Sequence, residues 1–172
     1  MLKQQFFALM AVAALIAPAA WAHDHAADEE WQAGDLTITS AFARATLPNA
    51  PVAGGFMSIE NAGAQDDRLL GASSAVAGKM EIHEMMIDGD VMKMRELPDG
   101  VPLPAGERVD LRPGGLHLMF MRLNQPLVEG EEVEVTLSFQ QSGEVTLPLQ
   151  SGPFNAADDH AHGAAVDEHA GH

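Results

Sequence analysis

Cysteine is missing from all 172 residues. Without a thiol there is no disulfide framework, no thiol nucleophile, no iron–sulfur cluster, no cysteine zinc site and no blue-copper centre. Aromatic residues make up only 5% of the chain, too few for a base-stacking surface. Positive charge is scarce: 9 Lys and Arg stand against 25 Asp and Glu, a formal net charge of −16. A chain that acidic repels phosphate, which excludes nucleic acid and makes an anionic membrane surface a poor partner. No nucleophile motif, phosphate-binding loop or HExxH is present, so nothing marks an enzyme. What the chain does hold is 47% apolar residues, enough for one buried core, together with 10 methionines and 8 histidines. Thioether and imidazole are the side chains left for soft or borderline metal chemistry.

The first 22 residues, MLKQQFFALMAVAALIAPAAWA, read as an export signal. Lys3 supplies the charged start, an apolar run follows from Phe6 to about Ala17, and Ala20-Trp21-Ala22 fits the small-x-small cleavage pattern. The run is short of the roughly 20 residues of a membrane span, and no second long run follows. Cleavage after Ala22 would release an exported protein without a membrane span, and a Gram-negative periplasm fits best. Residues 23–33 begin HDHAADEE and read as an acidic linker. Residues 151–172 are rich in Ala, Gly, Asp and His, lack an apolar face, and read as a disordered acidic tail.

Between these ends, residues 34–150 form one domain with apolar residues alternating at period two. Strand signals fall at Leu36–Ala41, Phe56–Ile59, Arg68–Ala75, Met80–Ile87, Val91–Leu97, Val109–Leu111, Leu116–Leu123, Val133–Leu137 and Val145–Leu147. Eight or nine short strands without a helix argue for an all-β antiparallel sandwich or barrel. Asp88-Gly89 is a hairpin signal.

Seven of the eight methionines beyond residue 22 lie between Met80 and Met121, and His83 and His117 fall in the same window. With Asp88-Gly89 at the centre of a two-residue turn, His83 would face Met94 and Met85 would face Met92, about 5 Å apart at Cβ. Residues two apart share a face, so these four project together. On the later strand His117, Met119 and Met121 share one face, while Leu118 and Phe120 take the core face. Imidazole with thioether suits Cu(I), and thioether binds zinc or calcium poorly. Methionine also fills irregular core gaps, and Met80 and Met86 are the candidates for that role.

The run from Lys79 to Leu123, with His83, Met94 and the His117-Leu118-Met119 triplet, resembles the periplasmic copper chaperone family that carries the PCuAC domain. The resemblance extends over about residues 34–150 and includes GGFMSIENAG at 54–63. It implies a cupredoxin-like β fold and a Cu(I) site made by His83, Met94, His117 and Met119. It also implies delivery of copper to an accepting subunit, such as that of cytochrome c oxidase, or to another periplasmic copper carrier. The interval of 22 residues from Met94 to His117 is slightly longer than the family spacing, which keeps Met92 as a substitute for Met94. Met85 and Met121 are further thioether candidates.

Both chain ends carry more imidazoles. His160, His162, His169 and His172 suit Cu(II), Ni(II) or Zn(II). Cleavage after Ala22 would leave His23 and His25 positioned for a square-planar Cu(II) site with the free amine and backbone nitrogens. Two other readings use the same residues: a structural or adhesive β-sandwich with packing methionines, and a periplasmic copper, zinc or nickel buffer acting through the tail.

Overall fold

The computed structural model describes residues 29–89 and 91–154. Period-two alternation decides the faces of its strands. In Glu132–Phe139, for example, Val133, Val135, Leu137 and Phe139 are buried while Glu132 and Glu134 face water. Eleven strands follow one another: β1 (Glu30–Ala33), β2 (Leu36–Arg44), β3 (Val52–Asn61), β4 (Asp67–Ser73), β5 (Ala77–Asp88), β6 (Val91–Glu96), β7 (Val101–Leu103), β8 (Arg108–Leu111), β9 (Leu116–Leu123), β10 (Glu132–Phe139) and β11 (Glu144–Gly152). No helix occurs among the described residues.

The all-β expectation therefore holds, with eleven strands in place of eight or nine. The two additional ones are short and weakly patterned. β1 lies within the stretch read as linker and carries one large apolar residue, Trp31. β7 has Pro102 at its centre, tolerable because the strand ends the sheet, where a missing N–H breaks no ladder. The sheet order is β6-β5-β9-β8-β3-β2-β11-β10-β4-β7, with β1 added beside β2. Pairing is antiparallel except for β11 with β2 and β8 with β9, so the sheet is mixed where an antiparallel one was expected.

One apolar core joins distant parts of that order. Met57, Ile59, Ile82, Leu118 and Phe120 meet Leu69, Val135, Leu137, Leu147 and Leu149 in a single cluster. The sheet thus curls over its own inner face, as in a cupredoxin-like sandwich. Leu118 and Phe120 are fully enclosed; truncating Leu118 to alanine would cost about 2–5 kcal/mol. Met80 packs into this core as expected, whereas Met86 does not and stands 41% exposed.

Two local irregularities shape the opposite, outer face. Along β2, Leu36 and Ile38 point inward, but an extra residue between Thr39 and Phe42 shifts the register against β3. Ser40, in left-handed backbone at φ 53, marks this bulge. Beyond it parity flips: Ala43 is buried in the core, and Phe42 turns outward against Phe56.

The second irregularity is the β5–β6 turn. Asp88 pairs with Val91, and Gly89 takes φ 64. His83 therefore faces Glu96 rather than Met94, and Met85 faces Met94 rather than Met92. The turn sits one residue later than the Asp88-Gly89 centring expected. Partners move by two positions, so each side chain keeps its face.

Elsewhere a polar clasp ties loops together. Asn61 Nδ2 donates to the Gln65 and Leu103 carbonyls, each at 2.9 Å, and its Oδ1 accepts from Gly63 N at 3.0 Å. Asp67 Oδ1 accepts from Arg68 N at 2.7 Å and Gln141 N at 2.9 Å, and Oδ2 accepts from Ser142 N at 3.0 Å. Burial pushes the Asp67 carboxyl up, but the Ser142 side chain, followed by these backbone N–H groups, outweighs it and holds the group below the usual range.

Candidate metal centre

Register across the outer face assembles a compact set of donors. His83 on β5 pairs directly with His117 on β9, and their rings meet edge-on with centroids 5.8 Å apart. One row toward the β5–β6 turn, Met85 pairs with Met94 on β6. One row the other way, Met119 on β9 lies between Glu81 on β5 and Gly54 on β3. Thioethers therefore flank the histidine pair on both sides. Gly54 keeps space beside Met119: a Cβ there would stand 2.9 Å from Phe56 Cζ.

A hollow of about 440 Å³ opens over this set, lined by His117, Met85, Met94, Met119, Phe56 and Arg44 among others. Phe56 closes one wall. It is buried yet outside the main core, packs on His117 with centroids 6.3 Å apart, and carries the Arg44 guanidinium 5.2 Å above its ring. The β2 bulge is what brings Phe42 and Arg44 to this side.

Hydrogen bonds fix the tautomer of each imidazole. His117 Nδ1 donates to the Gly115 carbonyl at 2.9 Å, and the same carbonyl accepts from Met85 N at 3.1 Å. The lone pair of His117 is thereby left on Nε2. Burial is the main cause holding its pKa below the ordinary histidine value, with the nearby His83 and Arg44 adding to it against the Gly115 hydrogen bond. His117 is thus neutral and able to ligate at neutral pH. His83 Nε2 lies 2.7 Å from Glu81 Oε2. The Glu81 carboxyl is held below its usual value, first by the Lys79 hydrogen bond and then by His83, so it is ionised and can only accept. Nε2 therefore carries the proton. His83 Nδ1 is left as the one buried side-chain nitrogen or oxygen among the described residues without a hydrogen-bond partner. A buried lone pair with nothing to accept is costly unless something binds it.

The sequence-derived candidates separate into groups. His117, Met94, Met119 and Met85 come together at the hollow, and His83 lies beside them as the cross-strand partner of His117. Met92 pairs with Ile87 beyond it, stands 58% exposed and does not line it. Met121 sits two rows from the histidines, opposite Lys79 and Val52. His23, His25, His160, His162, His169 and His172 lie outside the described residues. Sequence reasoning missed Glu81, Phe56, Arg44 and the Gly115 carbonyl. Glu81 was within reach of it, two residues before His83 on the same strand face; Phe56 and Arg44 depend on long-range pairing and a bulge. Among the described residues no group of three or more His, Asp and Glu is placed to hold a metal. The donors gathered here are two imidazoles and thioethers, a set for a soft ion.

Known proteins share this architecture. A family model for LpqE-like lipoproteins matches residues 36–150. The lipoprotein Lxx21020 of Leifsonia xyli subsp. xyli (strain CTCB07) is 29% identical over 132 residues, spanning 77% of this chain and 78% of its own. The copper-bound PCuAC domain from PmoF2 superposes with a TM-score of 0.63 at 27% identity, over 73% of this chain and 99% of that one. The solution structure of Cu(I)-DR1885 from Deinococcus radiodurans gives a TM-score of 0.54 at 25% identity, over 67% of this chain and 78% of that one.

Proposed function

Because the chain belongs to the LpqE-like family, the family of the PCuAC domain, we propose that it is an exported copper carrier holding Cu(I) on His83, Met94, His117 and Met119. The observation that carries this reading is the unpartnered His83 Nδ1, buried beside His117 with thioethers on either side. Two neutral nitrogens and soft sulfur match Cu(I), and the absence of thiolate favours exchange over permanent storage. Met94 is the methionine of β6 that lines the hollow, which supports it over Met92. Met85, its cross-strand neighbour, is the reserve donor.

The cargo goes to an accepting subunit, that of cytochrome c oxidase fitting best, or to another periplasmic carrier. Residues 1–22 direct export to the periplasm with cleavage after Ala22. The tail histidines His160, His162, His169 and His172, with His23 and His25 at the mature start, form an auxiliary Cu(II) store. The role is carriage, not catalysis.

The test is a Cu(I) titration of the mature chain against a competing chelator, followed by X-ray absorption. One tightly held ion with both sulfur and nitrogen scatterers is expected; a first shell without sulfur sinks the assignment. Removing residues 155–172 should abolish most Cu(II) binding and spare Cu(I). Transfer to an apo copper subunit, with the chelator present to trap free ion, separates a carrier from a scavenger. If the chelator takes all the copper, delivery is disproved.

A further inference from the structure

We propose that Glu81 is a positioning residue for this centre: its carboxylate locks His83 as the Nε2–H tautomer and so commits Nδ1 as the ligating nitrogen. The proposal rests on the copper reading above and adds to it which atom of His83 binds and what holds that atom in place.

Lys79, Glu81 and His83 follow one another at period two, on one face of β5. Each oxygen of Glu81 has its own partner: Oε1 lies 2.8 Å from Lys79 Nζ, and Oε2 lies 2.7 Å from His83 Nε2. Lys79 is held in turn by Glu96 Oε1 across the hairpin at 3.2 Å. The carboxylate is therefore braced from the side away from the imidazole. It cannot turn toward the ring's other nitrogen without giving up the Lys79 contact. Both Glu81 and His83 are largely shielded, with side-chain exposures of 15% and 12%, so water competes weakly for their hydrogen bond.

The partner ring is anchored the opposite way round. His117 gives its Nδ1 proton to a backbone carbonyl and presents Nε2. The two rings thus offer different nitrogens, one held by a side chain and one by the main chain. Only the first can be altered by substitution without touching a ligand. A carboxylate on a ligating imidazole fixes its orientation and raises its basicity, and loss of such a partner typically weakens metal binding about 10–100-fold. The Lys79 charge, 2.8 Å from the carboxylate, tempers that gain.

The experiment uses the mature full-length chain, labelled with ¹⁵N, at pH 7.5. Long-range ¹H–¹⁵N correlation reads the His83 tautomer in the metal-free protein, and chelator competition reads Cu(I) affinity. Wild type should show Nε2–H. Glu81→Ala should lose that preference and bind Cu(I) about 10–100-fold more weakly. Glu81→Gln, whose amide oxygen still accepts from Nε2–H, should keep the tautomer and recover most of the affinity. An Nδ1–H ring in wild type overturns the proposal, and does so even if Glu81→Ala fails to fold. Unchanged tautomer and affinity in Glu81→Ala also overturn it, as does a Glu81→Gln protein as weak as Glu81→Ala. A wild type that shows the Nε2–H ring but takes up no Cu(I) overturns the copper reading instead.

Discussion

Two buried polar regions of this domain are built to opposite rules. Around Asp67 and Asn61, 8% and 2% exposed, the side-chain oxygens and the Asn61 amide group all find partners within the protein. Around His117, 5% exposed, the rings are anchored on one nitrogen only, and His83 Nδ1 is left without a partner. The first region is finished by folding. The second is finished only when something outside the chain supplies the missing bond. Satisfied polar groups are what native interiors normally show, so an orphaned one points to function. On the proposed copper reading, the contrast separates residues that hold the fold from residues that would hold a cargo.

The sharpest way to break this contrast is to exchange the readouts. His117→Ala should weaken Cu(I) binding by at least about a hundredfold, beyond the usual cost of losing an outer partner. Asp67→Ala should leave that affinity unchanged in the same competition titration. Equal losses in the two variants would end the distinction.

Stability should respond in the reverse order. Asp67→Ala strips acceptors from Gln141 N and Ser142 N and should cost about 2 kcal/mol in urea unfolding. The double variant Met94→Ala and Met119→Ala should lose much less, since Met94 stands 47% exposed and Met119 is only partly buried. If the double variant unfolds, its methionines were packing residues.

A finer cut lies within the hairpin. Met94→Ala should weaken Cu(I) binding about tenfold, or roughly 1.4 kcal/mol, whereas Met92→Ala should change nothing measurable. A larger loss at Met92 would reassign the ligand.

The smallest effect is in the acid response of the metal-free domain. His117 has a folded pKa depressed below 6.5, so its contribution to stability is complete above that pH and declines as pH falls below it. Asp67, depressed below 3.8, gives up its contribution only at still lower pH. Urea midpoints should therefore slip in two stages on acidification. Bound Cu(I) should deepen the first stage, because protons and metal compete for His117. A flat response between pH 6.5 and 4 would show that folding does not depress the His117 pKa.

Much of this was legible in the linear chain. Alternation placed Leu118 and Phe120 inward and His117 and Met119 outward, and the structure agrees. Alternation has no memory of the partner strand, however. His83 opposite Met94 required one particular turn centre, and the observed turn begins at Gly89 instead. The slip was by two, so the facing of the donors survived while their pairing did not. The Ser40 bulge left less trace: an unremarkable serine reverses the parity of β2 and turns Phe42 outward. β1 and β7 were too short for any period to register. The unpartnered nitrogen of His83 exists only once two strands and a carboxylate are brought together.

The position of β6 has a consequence in time. It is the end strand of the sheet, held by β5 alone, and all six of its residues are exposed. The histidines belong to β5 and β9, strands paired on both sides. Strand edges open locally at far smaller free energies than a core does. With Met94 as a ligand, as proposed, lifting it away would leave the ion on the anchored rings, open on one side to an incoming ligand. The off-rate for cargo would then follow the fraying of one hairpin edge, and a domain of high overall stability could still let go quickly.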